Sequence, residues 1–256
     1  MPGAVHGYPG AMEWQDEALV LTVRPHGEAD AILTALTFAH GRHLGLVKGG
    51  MGRRIRPMLQ PGNRLELRWR ARLADHLGHF TAEPMRLFGA RLIEDPLRLA
   101  ALAGITELLD AALAEREAHP RLYAGLLKLL EAMLDDPRWL ETLVRFELLL
   151  LQELGFGLDL ARCAVTGEEA DLAFVSPRTG RAVSRAAAGE LAPRLLPLPA
   201  FLRADVPAMF SDILAGLRLT GHFLSRQVLG PADRALPNAR ERLTNLLRER
   251  DDGIAS

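Results

Sequence analysis

Apolar and β-branched residues fall in short runs between residues 17 and 85, each closed by glycine or proline. Residues 18–23 stop at Pro25-His26-Gly27, and residues 31–38 are closed by His40-Gly41. Residues 43–47 run into the glycine-rich turn Gly49-Gly50-Met51-Gly52. After Pro61-Gly62, residues 64–70 alternate strictly, which places Leu65, Leu67 and Trp69 on one face. A fifth run, 78–83, ends at Pro84. Five short strands at this spacing predict a small closed or nearly closed barrel, and a five-stranded OB-type barrel fits best.

The period then changes to that of helices. Asp95-Pro96 supplies an N-cap followed by proline at the first helical position, opening an apolar-periodic run over 97–113. Pro120 opens 121–134, and Asp136-Pro137 opens 139–154, which stops at Gly155. Leucine and alanine recur at i, i+3 and i+4 in all three, so they should pack as a bundle with 139–154 central. Residues 158–185 differ. Two β-like pieces, 172–175 and 181–183, flank the turn Ser176-Pro177-Arg178-Thr179-Gly180 and read as a hairpin insertion. Helical text resumes over 186–195 and 207–229, and the charged tail 238–256 is expected to fray. The fold class expected is therefore α+β: a barrel at 12–90, an all-α domain at 91–157 and 186–237, the insertion at 158–185, and the tail. Residues 1–11 read as a disordered extension, and Met12 could serve as the natural start.

Composition adds little until it is resolved along the chain. Of 256 residues, 48% are hydrophobic and 25% charged, values of a globular protein and not of a disordered one. The 31 basic and 32 acidic residues nearly cancel to −1, yet residues 42–72 hold nine basic residues against one acid, a net +8. Residues 94–153 hold six basic against twelve acidic, a net −6. A basic barrel beside an acidic bundle suits a nucleic-acid partner, because guanidinium groups attract phosphates and released counterions drive binding. Aromatic platforms are few (Phe38, Trp69 and Phe80, some needed in the core), so the interaction expected is backbone-dominated and salt-sensitive. A merely solubilising basic face is the alternative.

Other chemistry is thin. The glycines beside Lys48 lack the phosphate-loop pattern and read as a flexible basic loop. His40-x-x-His43 and His76-x-x-His79 have no further ligands at matching spacing, so turn or surface histidines are expected, with no metal. No serine sits in a G-x-S-x-G elbow, and lone Cys163 has no evident histidine partner. One cysteine excludes an intramolecular disulfide and points to a reducing compartment. No apolar run approaches the roughly 20 residues of a membrane span, and no secretory leader is evident, so a cytoplasmic protein is expected.

Several segments together resemble the RecO family of bacterial recombination mediators. They are Ala18 through Arg24-Pro-His-Gly27-Glu28-Ala-Asp30 to Thr34, then Thr37-Phe-Ala-His40-Gly41, Val47-Lys48-Gly49 and Leu59-Gln60-Pro61-Gly62. Further on, Leu151-Gln-Glu-Leu-Gly155-Phe156 through Cys163 and Phe174-Val-Ser-Pro177-Arg-Thr-Gly180 match the joint between bundle and insertion. The resemblance spans nearly all of 12–229. It implies an OB domain, a helical domain and a zinc-finger-like insertion. It also implies single- and double-stranded DNA binding, strand annealing, and cooperation with RecR in loading RecA onto DNA coated by single-stranded DNA-binding protein. No bond-making chemistry is implied. Members with zinc carry two C-x-x-C pairs, which here fall at Cys163 and Thr166 and at Ser184 and Ala187. One thiolate cannot hold structural zinc, so no metal or other cofactor is expected, and Leu172, Phe174 and Val183 must hold the hairpin by packing.

The residues expected to contact DNA are Arg53, Arg54, Arg56, Arg68, Arg70 and Arg72, supported by Lys48 and Arg24. No catalytic residue is expected. The alternative is an adaptor whose basic barrel docks an acidic partner. The C-terminal tail of single-stranded DNA-binding protein is one such partner, with Arg121, Arg138 or Arg145 open as carboxylate receptors.

Overall fold

The structure, a computed structural model, describes residues 12–73 and 75–255; the extension expected at 1–11 lies outside them. Five strands, β1 (Met12–His26), β2 (Asp30–Thr37), β3 (Gly41–Val47), β4 (Arg64–Ala71) and β5 (His79–Arg86), close a barrel in the order β1-β2-β3-β5-β4. All pairings are antiparallel except β3 with β5. The long first strand serves two partners: its first half pairs with β4 and its second with β2, and a register shift between Val20 and Thr22 bends it between them. Strand β1 therefore starts six residues before the first apolar run suggested. Its early residues alternate around Trp14 and carry too many charges to read as a strand.

Period-two alternation sorts the side chains. Ala18, Val20, Leu33, Leu65, Leu67, Trp69 and Phe80 fill the interior, with Trp14 packed against them. Trp14 stacks on Trp69 at 5.7 Å and on His40 at 4.1 Å, and His43 meets Trp69 edge-on at 4.9 Å. His43 is buried, so it is a core residue and not the surface histidine expected, and burial lowers its pKa. Two glycines make room for the rings. A Cβ on Gly45 would lie 2.3 Å from the Phe80 ring. Gly78, at φ +65°, would strike the Trp69 indole, whose Nε1 donates to the Leu77 carbonyl at 3.0 Å.

One compact unit comprises the barrel through Arg91 and residues 113–123; the other comprises 92–112 and 124 onward. The 113–123 stretch was expected to belong with the helices. Its backbone joins β3 instead: Arg116 N–H donates to the Arg42 carbonyl, and Arg42 Nε donates to the Leu113 carbonyl, both at 2.9 Å. A one-turn helix, α1 (Gly89–Leu92), follows the barrel.

The second unit is built on α2 (Pro96–Ala112), most of α3 (Pro120–Asp135), α4 (Trp139–Glu153), α6 (Phe210–Phe223) and α7 (Asn238–Ala255). Asp95 caps α2 by accepting from the Leu97 and Arg98 N–H groups, a contact worth about 1 kcal/mol. Helix α6 continues as a π-turn over Leu224–Leu229. The tail expected to fray is helical as α7, because Ala239, Leu243 and Leu247 share a buried face at i, i+4 and i+8. Arg240 is buried with them. It forms a two-pronged bond to Glu147 of α4 at 2.7 and 2.9 Å, and donates to the Leu217 carbonyl and to Thr220 of α6. Thr220 in turn donates to Glu147.

The insertion holds β6 (Leu172–Val175) and β7 (Ala182–Ser184). They are joined by β8 (Leu196–Pro197) in the order β7-β6-β8, a third strand too short for its own sequence signal. A short helix, α5 (Arg185–Ala188), follows β7, with Ser184 as its N-cap. The four positions at issue for zinc do converge. Cys163 Sγ accepts the Ser184 N–H at 3.3 Å, and Ser184 Oγ accepts the Ala187 N–H at 3.4 Å. The Gly167 N–H donates to the Cys163 carbonyl, and the Cys163 N–H to the Glu168 carbonyl. Donors from Ser184 and Thr166 pull the Cys163 thiol down to about 6. One sulfur, two hydroxyls and a methyl do not fit zinc; the turn is closed by hydrogen bonds in addition to the packing of Leu172 and Val183.

Candidate nucleic-acid interface

The expected basic residues lie on two parts of the barrel. The first is the loop from Lys48 to Asn63. Asp30, at the start of β2, accepts the Gly49 N–H at 2.8 Å, and the Met51 N–H donates to the Ala29 carbonyl. Successive turns follow, closed by the Gly52, Ile55, Arg56, Met58 and Leu59 N–H groups. Met51, Ile55 and Met58 pack against the core, and Leu59 is fully buried. At the far end, the Asn63 side chain donates to the Pro57 and Met58 carbonyls and accepts from the Gly89 N–H. The loop is thus a pinned scaffold, where glycine content alone suggested a flexible one. Its apolar residues face inward, leaving Lys48, Arg53, Arg54 and Arg56 exposed. Among the described residues, none of these four makes an ion pair.

The second part is the outer face of β4. Arg68 and Arg70 point outward between the buried Leu67, Trp69 and Ala71, and Arg72 is exposed just past the strand. Leu46 of β3 lies opposite His79 of β5, His79 opposite Arg70, and Arg70 opposite Glu13 of β1. Lys48 follows two residues after Leu46, so the strand register joins the loop to the β4 arginines. Arg24 is exposed near the end of β1, opposite Ile32, and Asp30 at that end of β2 holds the Gly49 N–H. Arg24 also has an interaction partner of its own.

Cross-strand acids were missed by counting charge along the sequence. Glu13 lies 3.6 Å from Arg68 and 4.0 Å from Arg70, and Arg68 also donates to Gln15 at 3.3 Å. Arg64 pairs with Glu17 at 2.6 Å, and Arg42 with Glu115 at 3.5 Å. Tyr123 donates to Glu17, and burial pushes its hydroxyl up to about 12. Two guanidiniums sharing Glu13 keep a net positive charge. Such exposed pairs are worth about 0–1 kcal/mol, so a phosphate can replace the carboxylate. Stacking surface is scarce: Trp69 and Phe80 are interior, and Phe38, edge-on against Tyr123, is left 48% exposed.

The carboxylate receptors open to an adaptor are already engaged. Arg138 grips Glu141 through two bonds at 2.9 and 2.7 Å and pairs with Asp205 at 2.9 Å. Arg145 contacts the same carboxylate and donates to the Phe201 carbonyl. Arg121, exposed on the first turn of α3, also has a partner. Held chiefly by Arg138, the Glu141 carboxyl lies below its ordinary value. Among the described residues no group of three or more His, Cys, Asp or Glu side chains could hold a metal, and no helix is long and apolar enough to cross a membrane.

Two family models match in tandem, Recombination protein O N terminal over residues 12–88 and Recombination protein O C terminal over 93–236. A protein named DNA repair protein RecO from Cereibacter sphaeroides is 53% identical over 238 residues, 92% of this chain and 98% of its own. Proteins of the same name from Dinoroseobacter shibae and Rhodospirillum centenum are 50% and 49% identical, covering 92% and 93% of this chain and 98% and 96% of theirs.

Proposed function

The chain belongs to the RecO family of DNA repair proteins, and on that premise we propose that it binds single- and double-stranded DNA through the barrel and anneals complementary strands in recombination repair. The observation that carries this is the pinned loop presenting Lys48, Arg53, Arg54 and Arg56 to solvent, none of them in an ion pair among the described residues. Arg68, Arg70, Arg72 and Arg24 extend the surface. Annealing follows from the chemistry: two strands repel through their phosphates, and a mobile-counterion surface relieves that repulsion without reading bases. In the same reading the protein makes and breaks no covalent bonds and works in the cytoplasm at the nucleoid. It acts with RecR and the C-terminal tail of single-stranded DNA-binding protein to load RecA.

Annealing of complementary oligonucleotides, with binding measured at two salt concentrations, tests the proposal on the wild type and on Arg53→Ala/Arg54→Ala/Arg56→Ala. At about 0.7 in the logarithmic salt slope per single-strand phosphate contact, the triple variant should lose about 2 from the slope and bind far more weakly at low salt. Binding indifferent to both salt and substitution would sink it.

A further inference from the structure

A pocket of about 450 Å³ in the helical unit lies between α6 and α7, with Pro197 at its margin. Its walls are apolar at Pro197, Leu214 and Leu236, and it is lined by three arginines, Arg218, Arg240 and Arg248, with no carboxylate. Arg240 is nine-tenths buried, and its bonds account for Nε and Nη2 only. Nη1 donates to no described protein group. It lies over Gly221, where a Cβ would come within 2.9 Å, and Gly221 lines the same pocket. Arg218 and Arg248 are exposed, and neither makes an ion pair among the described residues; Arg248 donates only to Asn245, at 3.0 Å.

From this geometry we infer a binding site for a phosphate monoester, with the terminal phosphate of a DNA strand as its ligand. Glu147 balances Arg240, so the three guanidiniums leave a charge of +2 with no internal counter-ion. A phosphate monoester carries about −1.5 to −2 at neutral pH and offers three acceptor oxygens, whereas a carboxylate carries −1 and a phosphodiester −1. The Arg240 guanidinium is held in place by Glu147, so its solvent-reached Nη1 supplies a fixed donor in the pocket lining, and the two exposed arginines close over the oxygens from the rim. The apolar walls accept the sugar or base of the terminal nucleotide. The DNA-end ligand rests on the DNA-binding reading above; the preference for a phosphate monoester does not.

The test compares a 5′-phosphorylated oligonucleotide, the same oligonucleotide ending in a hydroxyl, inorganic phosphate, and an aspartate-rich peptide. Each is titrated into the full-length protein and into Arg218→Gln/Arg248→Gln, both exposed positions that leave the Arg240–Glu147 pair intact. The phosphorylated strand should bind about tenfold more tightly than the hydroxyl strand, inorganic phosphate should erase that difference, and the double variant should lack it. Equal affinity of the two strands overturns the DNA-end ligand while leaving DNA binding by the barrel standing. Should neither strand bind, the function proposed above fails. The pocket is then read by thermal protection from inorganic phosphate, which must appear in the wild type and vanish in the double variant. Absence of that protection, or protection by the peptide but not by phosphate, overturns the site.

Discussion

Two arginine–carboxylate contacts in this protein use the same groups to opposite ends. In the helical unit, Arg240 and Glu147 are 8% and 2% exposed and share two bonds within 2.9 Å. On the barrel, Arg68 and Glu13 are 60% and 44% exposed and lie 3.6 Å apart. Removed from water, the first pair has no substitute partner, so it is architecture: it ties α7 to α4 and α6. The second remains solvated and exchangeable, so its arginines stay available to a polyanion. Burial, and not residue identity, separates a guanidinium whose carboxylate cannot be exchanged from one whose carboxylate can.

The sharpest way to break this contrast is Glu147→Gln. It strands a buried guanidinium and should cost about 3–5 kcal/mol in urea unfolding, with α7 losing protection in hydrogen exchange. A cost below 1 kcal/mol would place the pair in the same class as the barrel contacts. An acid titration comes next. Because Arg138 holds Glu141 below its ordinary carboxyl value of 4.5, this contact adds stability that is complete above that value. The stability is lost as the pH falls through the lower native value. Glu141→Gln should therefore flatten the acid limb of the stability curve below pH 4.5, and an unchanged limb would assign it to other groups. Smallest is Glu13→Gln, which frees Arg68 and Arg70 on the barrel. Affinity for single-stranded DNA at low salt should rise, by no more than about fivefold, because an exposed pair is worth at most about 1 kcal/mol. Unfolding should change by less than about 1 kcal/mol. Weaker binding would mean that Glu13 positions the arginines and does not compete for them.

Local periodicity made much of the architecture legible. The strict alternation of residues 64–70 does place Leu65, Leu67 and Trp69 inward, and Asp95-Pro96 does open a helix. Long-range pairing was not legible. Glu13 neighbours Arg70 only because β1 and β4 are paired, so a charge count along residues 42–72 overstated how free the β4 arginines are. Charge also hid α7: the i, i+4, i+8 spacing of Ala239, Leu243 and Leu247 was present, but the surrounding charged residues masked it. The basic loop was misjudged for a related reason. Glycine marks where a chain can turn, whereas Asp30, Asn63 and the inward Met51, Ile55 and Leu59 decide whether it stays put.

The turn at Cys163 has a consequence for how the protein meets its surroundings. A knuckle closed by a metal is populated according to the free concentration of that metal, and its melting point moves with every chelator or competing ligand. Here Sγ is held by the Ser184 N–H, and the rest of the turn by backbone bonds that travel with the chain. On this chemistry the insertion should fold with one fewer component in its equilibrium, and its melting point should be the same with added zinc as with a chelator.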